Sequence, residues 1–266
     1  MKILILSSNL SNEAGGYSES SFLLRERLER IKKNDVYLFG FWKSKMFRLN
    51  YKLVDRINIF SPGFIKIFPF SISYFKKMKI IKPDIIDAQG LWSSSTVFNI
   101  FFNFFTSTPY VVTPRGMLER WAMEKSFIKK KIFYLMFEQF HLKNAKCLRA
   151  TSLMEAKTFL KLGFKNTIVN VPNSIKIPNL KNKSLIKKKT KYRLLFLSRF
   201  HPKKGLSELL HAWKFLQDKN LNWELVICGY DEKQYLKKMK YLEKNLKLKR
   251  VIWKNFLVGK EKDRIF

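Results

Sequence analysis

The chain is poor in several residue types. Its 266 residues include 2 cysteines, 3 histidines, 8 prolines and 10 glycines, and 20 acidic residues stand against 53 basic ones. Cys147 and Cys228 lie far apart in apolar surroundings, which excludes a disulfide scaffold or a cysteine zinc site and suits a reducing compartment. Scarce glycine and proline, with no internal repeat, exclude collagen-like and low-complexity chains. The longest greasy stretch, Val97 to Phe105, is interrupted by Asn99 and Asn103. It falls well short of the ~18 residues of a membrane span and is expected to be a buried helix. The opening apolar run, Ile3 to Leu6, is too short for the core of a signal peptide and ends at Ser7, Ser8 and Asn9, so a cytoplasmic location is expected.

What is present is enough apolar material for a core. Hydrophobic residues make up 46% and aromatic residues 15%, and the length suits one large domain or two small ones. The net charge of +33 divides almost evenly, +16 over residues 1–173 and +17 over 174–266, so no single basic face is implied. Of the 53 cations 41 are lysine, in a chain also rich in Ile, Phe and Asn. That is the composition an A/T-rich codon bias produces. Adhesion to an anionic membrane surface or another polyanion is the other reading of the same excess.

Periodicity gives the architecture. Lys2–Ser7 is a short apolar run, followed by a polar loop and an amphipathic stretch from Tyr17 to Ile31: strand, loop, helix. Further strand-like runs are Asp35–Phe41, Ile85–Ala88, Tyr110–Thr113, Cys147–Ala150 and Ile168–Val171, with helical patterns between most of them. Such alternation indicates an α/β fold with a doubly wound parallel sheet. Ser152-x-x-Glu155 reads as a capping box of structural use, with Gly163 closing that helix. Ile175–Lys191, with Pro178 and seven lysines, reads as a solvated connector between a domain at 1–174 and another at 192–266. In the latter the pattern restarts: strand Tyr192–Ser198, helix Leu206–Leu216, strand Trp223–Cys228, helix Asp231–Asn245 and strand Val251–Trp253. Three strands make half of a nucleotide-binding sheet, leaving the first with an open, apolar edge.

Two strand-to-helix loops carry candidate chemistry. Gly15 and Gly16 precede the first helix, where backbone amides offer an anion site and paired glycines let the main chain approach a phosphate. In the second domain Arg199 directly follows a strand and Lys204 precedes a helix. Both cations then stand at the carboxyl end of the sheet, where α/β folds bind ligands, able to bracket a diphosphate.

Several segments occur together in one order: Thr113-Pro114-Arg115-Gly116-Met117-Leu118-Glu119-Arg120-Trp121-Ala122, Ala150-Thr151-Ser152-x-x-Glu155, Val171-Pro172-Asn173, Arg199-x-x-x-Lys203-Lys204-Gly205 and Cys228-Gly229-x-Asp231-Glu232. In that order and spacing the chain resembles the family-4 retaining glycosyltransferases, within a subgroup carrying Pro-Arg-Gly-Met-Leu. The resemblance implies the GT-B fold of two Rossmann-like domains, the second incomplete here. It implies sugar transfer from a nucleotide diphosphate sugar, with retention, in the interdomain cleft. Carried over by position, Gly15, Gly16, Arg199, Lys204 and Gly229 would bind the donor, with Arg199 and Lys204 the catalytic cations. Gln89, Trp92, Arg115 and Trp121 would stand on the acceptor side. No Asp-x-Asp motif occurs, so metal-independent chemistry without a cofactor is expected, the nucleotide sugar being a co-substrate.

The chain departs from that family in three places. Asp87-Ala88-Gln89-Gly90-Leu91-Trp92 stands where many relatives have His-x-His-Gly, and Arg115 where others have a histidine. His141, His201 and His211 are expected to be packed or surface residues. A leaving phosphate that takes the acceptor's proton makes a protein base unnecessary. The family's Glu-x7-Glu segment has no counterpart within residues 1–266, from which a fragment or a naturally shortened product with impaired donor binding is expected. The expected partners are a nucleotide sugar, a saccharide or lipid-linked acceptor and an anionic membrane's inner face, with nucleic acid not among them. The competing reading is a basic polyanion- or membrane-binding protein that keeps the transferase fold without activity.

Overall fold

The computed structural model describes residues 1–10, 15–31, 33–41, 56–60, 72–124, 126–175, 191–219, 221–231 and 234–255, with 257, 261 and 265. It divides into two compact units, Met1–Lys176 and Ile177–Phe266. Most of the connector at 175–191 lies outside the described residues.

In the first unit Leu4 and Leu6 pack into one core with Phe39, Phe41, Ile86, Val112 and Leu148. Ile3 and Ile5 pack into another with Phe22, Val36 and Leu38. Side chains alternate across a strand, so a run apolar at every position can be satisfied only by burial on both faces. The strands are β1 (Lys2–Ser7), β2 (Asp35–Phe41), β3 (Ile57–Phe60), β4 (Ile85–Gln89), β5 (Tyr110–Thr113), β6 (Cys147–Ala150) and β7 (Thr167–Asn170). They form one parallel sheet in the order β3-β2-β1-β4-β5-β6-β7. This is the doubly wound order, and its switch point lies between β1 and β4, where Ser7 is in register with Gln89.

The helices are α1 (Gly16–Arg30), α2 (Ile72–Ile81), α3 (Ser94–Thr106), α4 (Arg120–Glu124), α5 (Phe127–Phe133), α6 (Gln139–Asn144) and α7 (Leu153–Lys161). A π-helical turn, Tyr134–Glu138, joins α5 to α6. Helix α3 corrects the expectation of a fully buried helix. Val97, Phe98 and Phe102 are buried, whereas Phe101, Phe104 and Phe105 are exposed, Phe104 to 76%. At 3.6 residues per turn only one stripe of a helix can face the sheet, and here that stripe includes Asn99 while three phenylalanines lie outside it.

The second unit holds β8 (Tyr192–Leu197), β9 (Trp223–Cys228) and β10 (Val251–Lys254), with α8 (Leu206–Leu216) and α9 (Tyr235–Asn245). Its parallel sheet runs β10-β9-β8, and Leu206, Leu210, Trp213, Leu225, Ile227 and Met239 form its core. Leu225 to Cys228 are fully buried, but Leu194 to Leu197 are only half-buried, as an edge strand must be. Helix α9 starts later than the sequence pattern suggested. Asp231 is instead paired in a parallel bridge with Phe200, and its carboxylate accepts a hydrogen bond from the Leu236 amide.

Candidate functional site

At the carboxyl edge of the first sheet, residues from β1, β4 and β5 and the loops after them lock together. Tyr17, in the first turn of α1, donates from its hydroxyl to the Gln89 carbonyl at 2.5 Å and meets the Ser8 hydroxyl at 2.9 Å. Gly90, at φ +78°, leaves room for that hydroxyl, which a Cβ would meet at 2.7 Å. Gln89 is buried; its amide donates to Thr113 Oγ1 and its carbonyl oxygen accepts from Arg115 Nε at 2.6 Å.

Arg115, itself in the left-handed region at φ 57°, also donates to Ser20 Oγ and stacks its guanidinium 4.8 Å over the Tyr17 ring. Burial pulls its pKa below the ordinary value, against Tyr17 and Asp87. One terminal nitrogen, Nη2, is buried without a hydrogen-bond partner among the described residues. Asp87, on the same strand as Gln89, has its carboxyl pushed above the ordinary range by burial, with Arg149 and Arg115 opposing.

Two further carboxylates, which the motifs did not flag as site residues, hold these loops. Glu155 keeps half of its capping box: its amide donates to Ser152 Oγ at 3.2 Å. The carboxylate, however, accepts from Thr151 N and Oγ1 and, at 2.6 Å, from Gly116 N in the loop after β5. The box residue therefore ties α7 to Arg115's loop. Glu138, wholly buried, accepts from Trp92 N at 2.6 Å and from Thr96 Oγ1 at 2.9 Å. His141 lies 3.5 Å from it, also buried, bonded to Asn99 and stacked on Tyr110.

The expected acceptor-side residues separate accordingly. Gln89 and Arg115 are joined directly. Trp92, at φ 59°, turns to pack its ring near Phe133 and Tyr134 with the Lys130 ammonium 5.7 Å away. Trp121 is at the surface, its indole donating to Glu119 at 2.6 Å. Gly15, at φ 55°, precedes α1, and a Cβ on either Gly15 or Gly16 would meet nothing within 4 Å. Among the described residues no side chain caps the first turn of α1, and amides at such a helix start suit an anion. Asn12 to Ala14 of the same loop lie outside the described residues.

In the second unit the equivalent loop carries exposed Arg199, a single 3-10 turn Pro202–Lys204 ending in exposed Lys204, and Gly205 at φ 71° leading into α8. His201 caps that turn, its Nδ1 accepting from Lys203 N. Both cations thus stand at the carboxyl edge of the sheet. A cavity of about 330 Å³ opens between Phe200, the residue after Arg199, and Tyr230, Asp231, Leu236, Trp253 and Lys254; Arg199 and Lys204 themselves do not line it. Gly229 has a packing reason to be glycine. A Cβ there would lie 1.9 Å from the Ser198 carbonyl oxygen and 2.7 Å from the Phe200 ring.

Residues 177–266 match the family described as "Glycosyl transferases group 1". No curated protein matches the chain. Among solved structures, Anabaena Alr3699/HepE, in complex with UDP and glucose, is 16% identical over 97% of this chain and 70% of its own, with a TM-score of 0.67. The sucrose-phosphate synthase of Thermosynechococcus elongatus is 15% identical over 97% and 71%, with a TM-score of 0.68. A UDP-GlcNAc 2-epimerase from Neisseria meningitidis, bound to UDP-GlcNAc, is 12% identical over 97% and 73%, with a TM-score of 0.57. At these identities the structures establish the fold, and the epimerase shows that one fold serves more than one reaction. The family resemblance seen in the motifs holds at this level: the chain has the α/β fold of GT-B proteins, and its second unit, residues 177–266, matches the glycosyl transferases group 1 family.

Proposed function

We propose that the chain transfers a sugar from a nucleotide diphosphate sugar to a saccharide acceptor, free or lipid-linked, with retention at the anomeric carbon, in building a cell-surface polysaccharide or glycan. One observation carries this reading: the family match over residues 177–266 falls on the unit whose first strand-to-helix loop bears Arg199 and Lys204. Arg199 forks onto diphosphate oxygens and Lys204 adds a point charge. As the bond from the anomeric carbon to the phosphate oxygen breaks, its electron pair leaves with the phosphate, which gains negative charge. Cations held there stabilise the transition state more than the ground state. The acceptor hydroxyl forms the new bond on the face the phosphate leaves, and its proton passes to the departing phosphate oxygen, so no side-chain base and no metal is required.

In the first unit the amides at Gly15 and Gly16 serve phosphate oxygens. The nucleotide in the Anabaena complex and the UDP-GlcNAc in the epimerase complex support a nucleotide sugar as the ligand.

The test is calorimetric titration of UDP- and GDP-sugars into the purified chain and its Arg199→Ala and Lys204→Ala variants, followed by transfer assays with saccharide acceptors. Binding by the unaltered chain that each substitution abolishes supports the proposal. Equal binding by all three would overturn the assignment of the two cations.

A further inference from the structure

The backbone remains in the right-handed helical region from Phe133 through Gln139, so α5, the π turn and α6 form one continuous helix over residues 127–144. One side is fixed to the protein by buried Glu138, His141 and Leu142. The other side is apolar and exposed: Ile128 is 73% exposed, Ile132 54%, Leu135 62%, Met136 63% and Phe140 52%. Residues 128, 132, 136 and 140 recur at every fourth position. In a regular α-helix each such step runs about 40° ahead, and the set would wind away from a common face. The π turn at Tyr134–Glu138 holds one more residue per turn. It takes back part of that drift, turning Phe140 toward Ile128 and Ile132 while its last residue, Glu138, reaches the interior.

Charge says what this face fits. Lys129, Lys131 and Lys143 are exposed on the same helix, and Glu138, the one acidic residue between 126 and 144, is wholly buried. A second copy of the chain would bring lysines against lysines. An anionic bilayer supplies what both components require: an apolar layer for Ile132, Met136 and Phe140, and phosphate headgroups for lysines that extend past it. None of the described helices is long and apolar enough to cross a membrane, so the contact is in the plane of the surface.

We infer that residues 127–144 form an interfacial helix that docks the first unit onto an anionic lipid surface, with Ile128, Ile132, Leu135, Met136 and Phe140 entering the headgroup region. The inference does not depend on sugar transfer and is read without it. The full chain is sedimented with vesicles of phosphatidylcholine alone or mixed with phosphatidylglycerol. Binding to the mixed vesicles is expected, weakened roughly tenfold or more by Ile132→Ser/Met136→Ser. Lys129→Gln/Lys131→Gln is expected to weaken it and to flatten its salt dependence. The change Phe215→Ser, at a residue 76% exposed in the second unit, should leave it as in the unaltered chain. In a Met136→Trp variant, adding mixed vesicles should shift the emission to shorter wavelength relative to the parent.

Unchanged binding by Ile132→Ser/Met136→Ser, with far-ultraviolet dichroism showing a folded chain, would overturn the inference and leave only diffuse charge attraction. So would a lipid-free dimer, seen by sedimentation velocity, that the same pair of substitutions dissolves. Loss of sugar binding in Arg199→Ala with vesicle binding intact separates this site from the transfer reaction.

Discussion

The two units place a loop with the same topological position, after the first strand and before the next helix, in opposite circumstances. Around the first unit's loop, Tyr17, Gln89, Arg115 and Glu155 spend most of their hydrogen-bonding capacity on one another and on backbone. In the second unit Arg199 and Lys204 are exposed at the rim of the sheet. Charged residues at the carboxyl edge of a parallel sheet therefore have two distinct uses. Buried, they set the positions of loops; exposed at the rim, they can be reached from solvent. Substitution should then affect stability in the first unit and binding in the second.

The largest effect expected is on transfer. Arg199→Ala or Lys204→Ala should lower turnover by about 10²–10³-fold, the usual loss for one charge-stabilising group, with an unchanged melting temperature in scanning calorimetry. A fall in melting temperature that tracks the lost activity would erase the contrast. Next comes Gly229→Ala. Its methyl cannot coexist with the Ser198 carbonyl, and overpacking of this kind costs on the order of 3 kcal/mol, measurable by urea unfolding of the second unit's signal. Third, Glu138→Ala strips the Trp92 amide and Thr96 hydroxyl of their acceptor, for a loss of about 2 kcal/mol that denaturant titration would register, with sugar binding retained.

The smallest expected change depends on pH. Burial raises the Asp87 carboxyl in the folded chain, so its ionised form is disfavoured by folding. Stability from this group is greatest below the unfolded-state carboxylate pKa and is lost as pH rises through the folded value. Asp87→Asn should therefore raise the melting temperature at neutral pH and make no difference near pH 3, tested by calorimetry across that range.

Much of the fold was legible because apolar runs bounded by polar loops leave few alternatives. Lys2–Ser7, Asp35–Phe41 and Trp223–Cys228 are strands with the boundaries their sequences suggest. Ile57–Phe60 escaped notice because four residues containing an asparagine make a weak signal at the far edge of a sheet. The candidate site was legible only where it follows from position in a loop. Arg199, Lys204 and the glycines at 15 and 16 stand after strands, and their place at a sheet edge is a matter of topology. Glu138 was missed because its partners lie 42 and 46 residues earlier, and no short spacing reveals such a contact. A clue existed in its being the one carboxylate inside the greasy run from Ile132 to Leu142. An acid in that setting must find donors or titrate. The exposed phenylalanines of α3 show the reverse failure, since composition alone cannot say which side of a helix faces in.

The contact at Gly229 has a mechanical corollary. The Phe200 amide donates to the Tyr230 carbonyl at 2.8 Å and the Ser198 amide to that of Cys228 at 3.1 Å, while the missing side chain lets the two crossings touch. They are fastened like two leaves of one hinge plate. Any displacement of residues 198–200 would therefore carry residues 228–230 with it, and Phe200 and Tyr230 on the cavity wall would move as one piece.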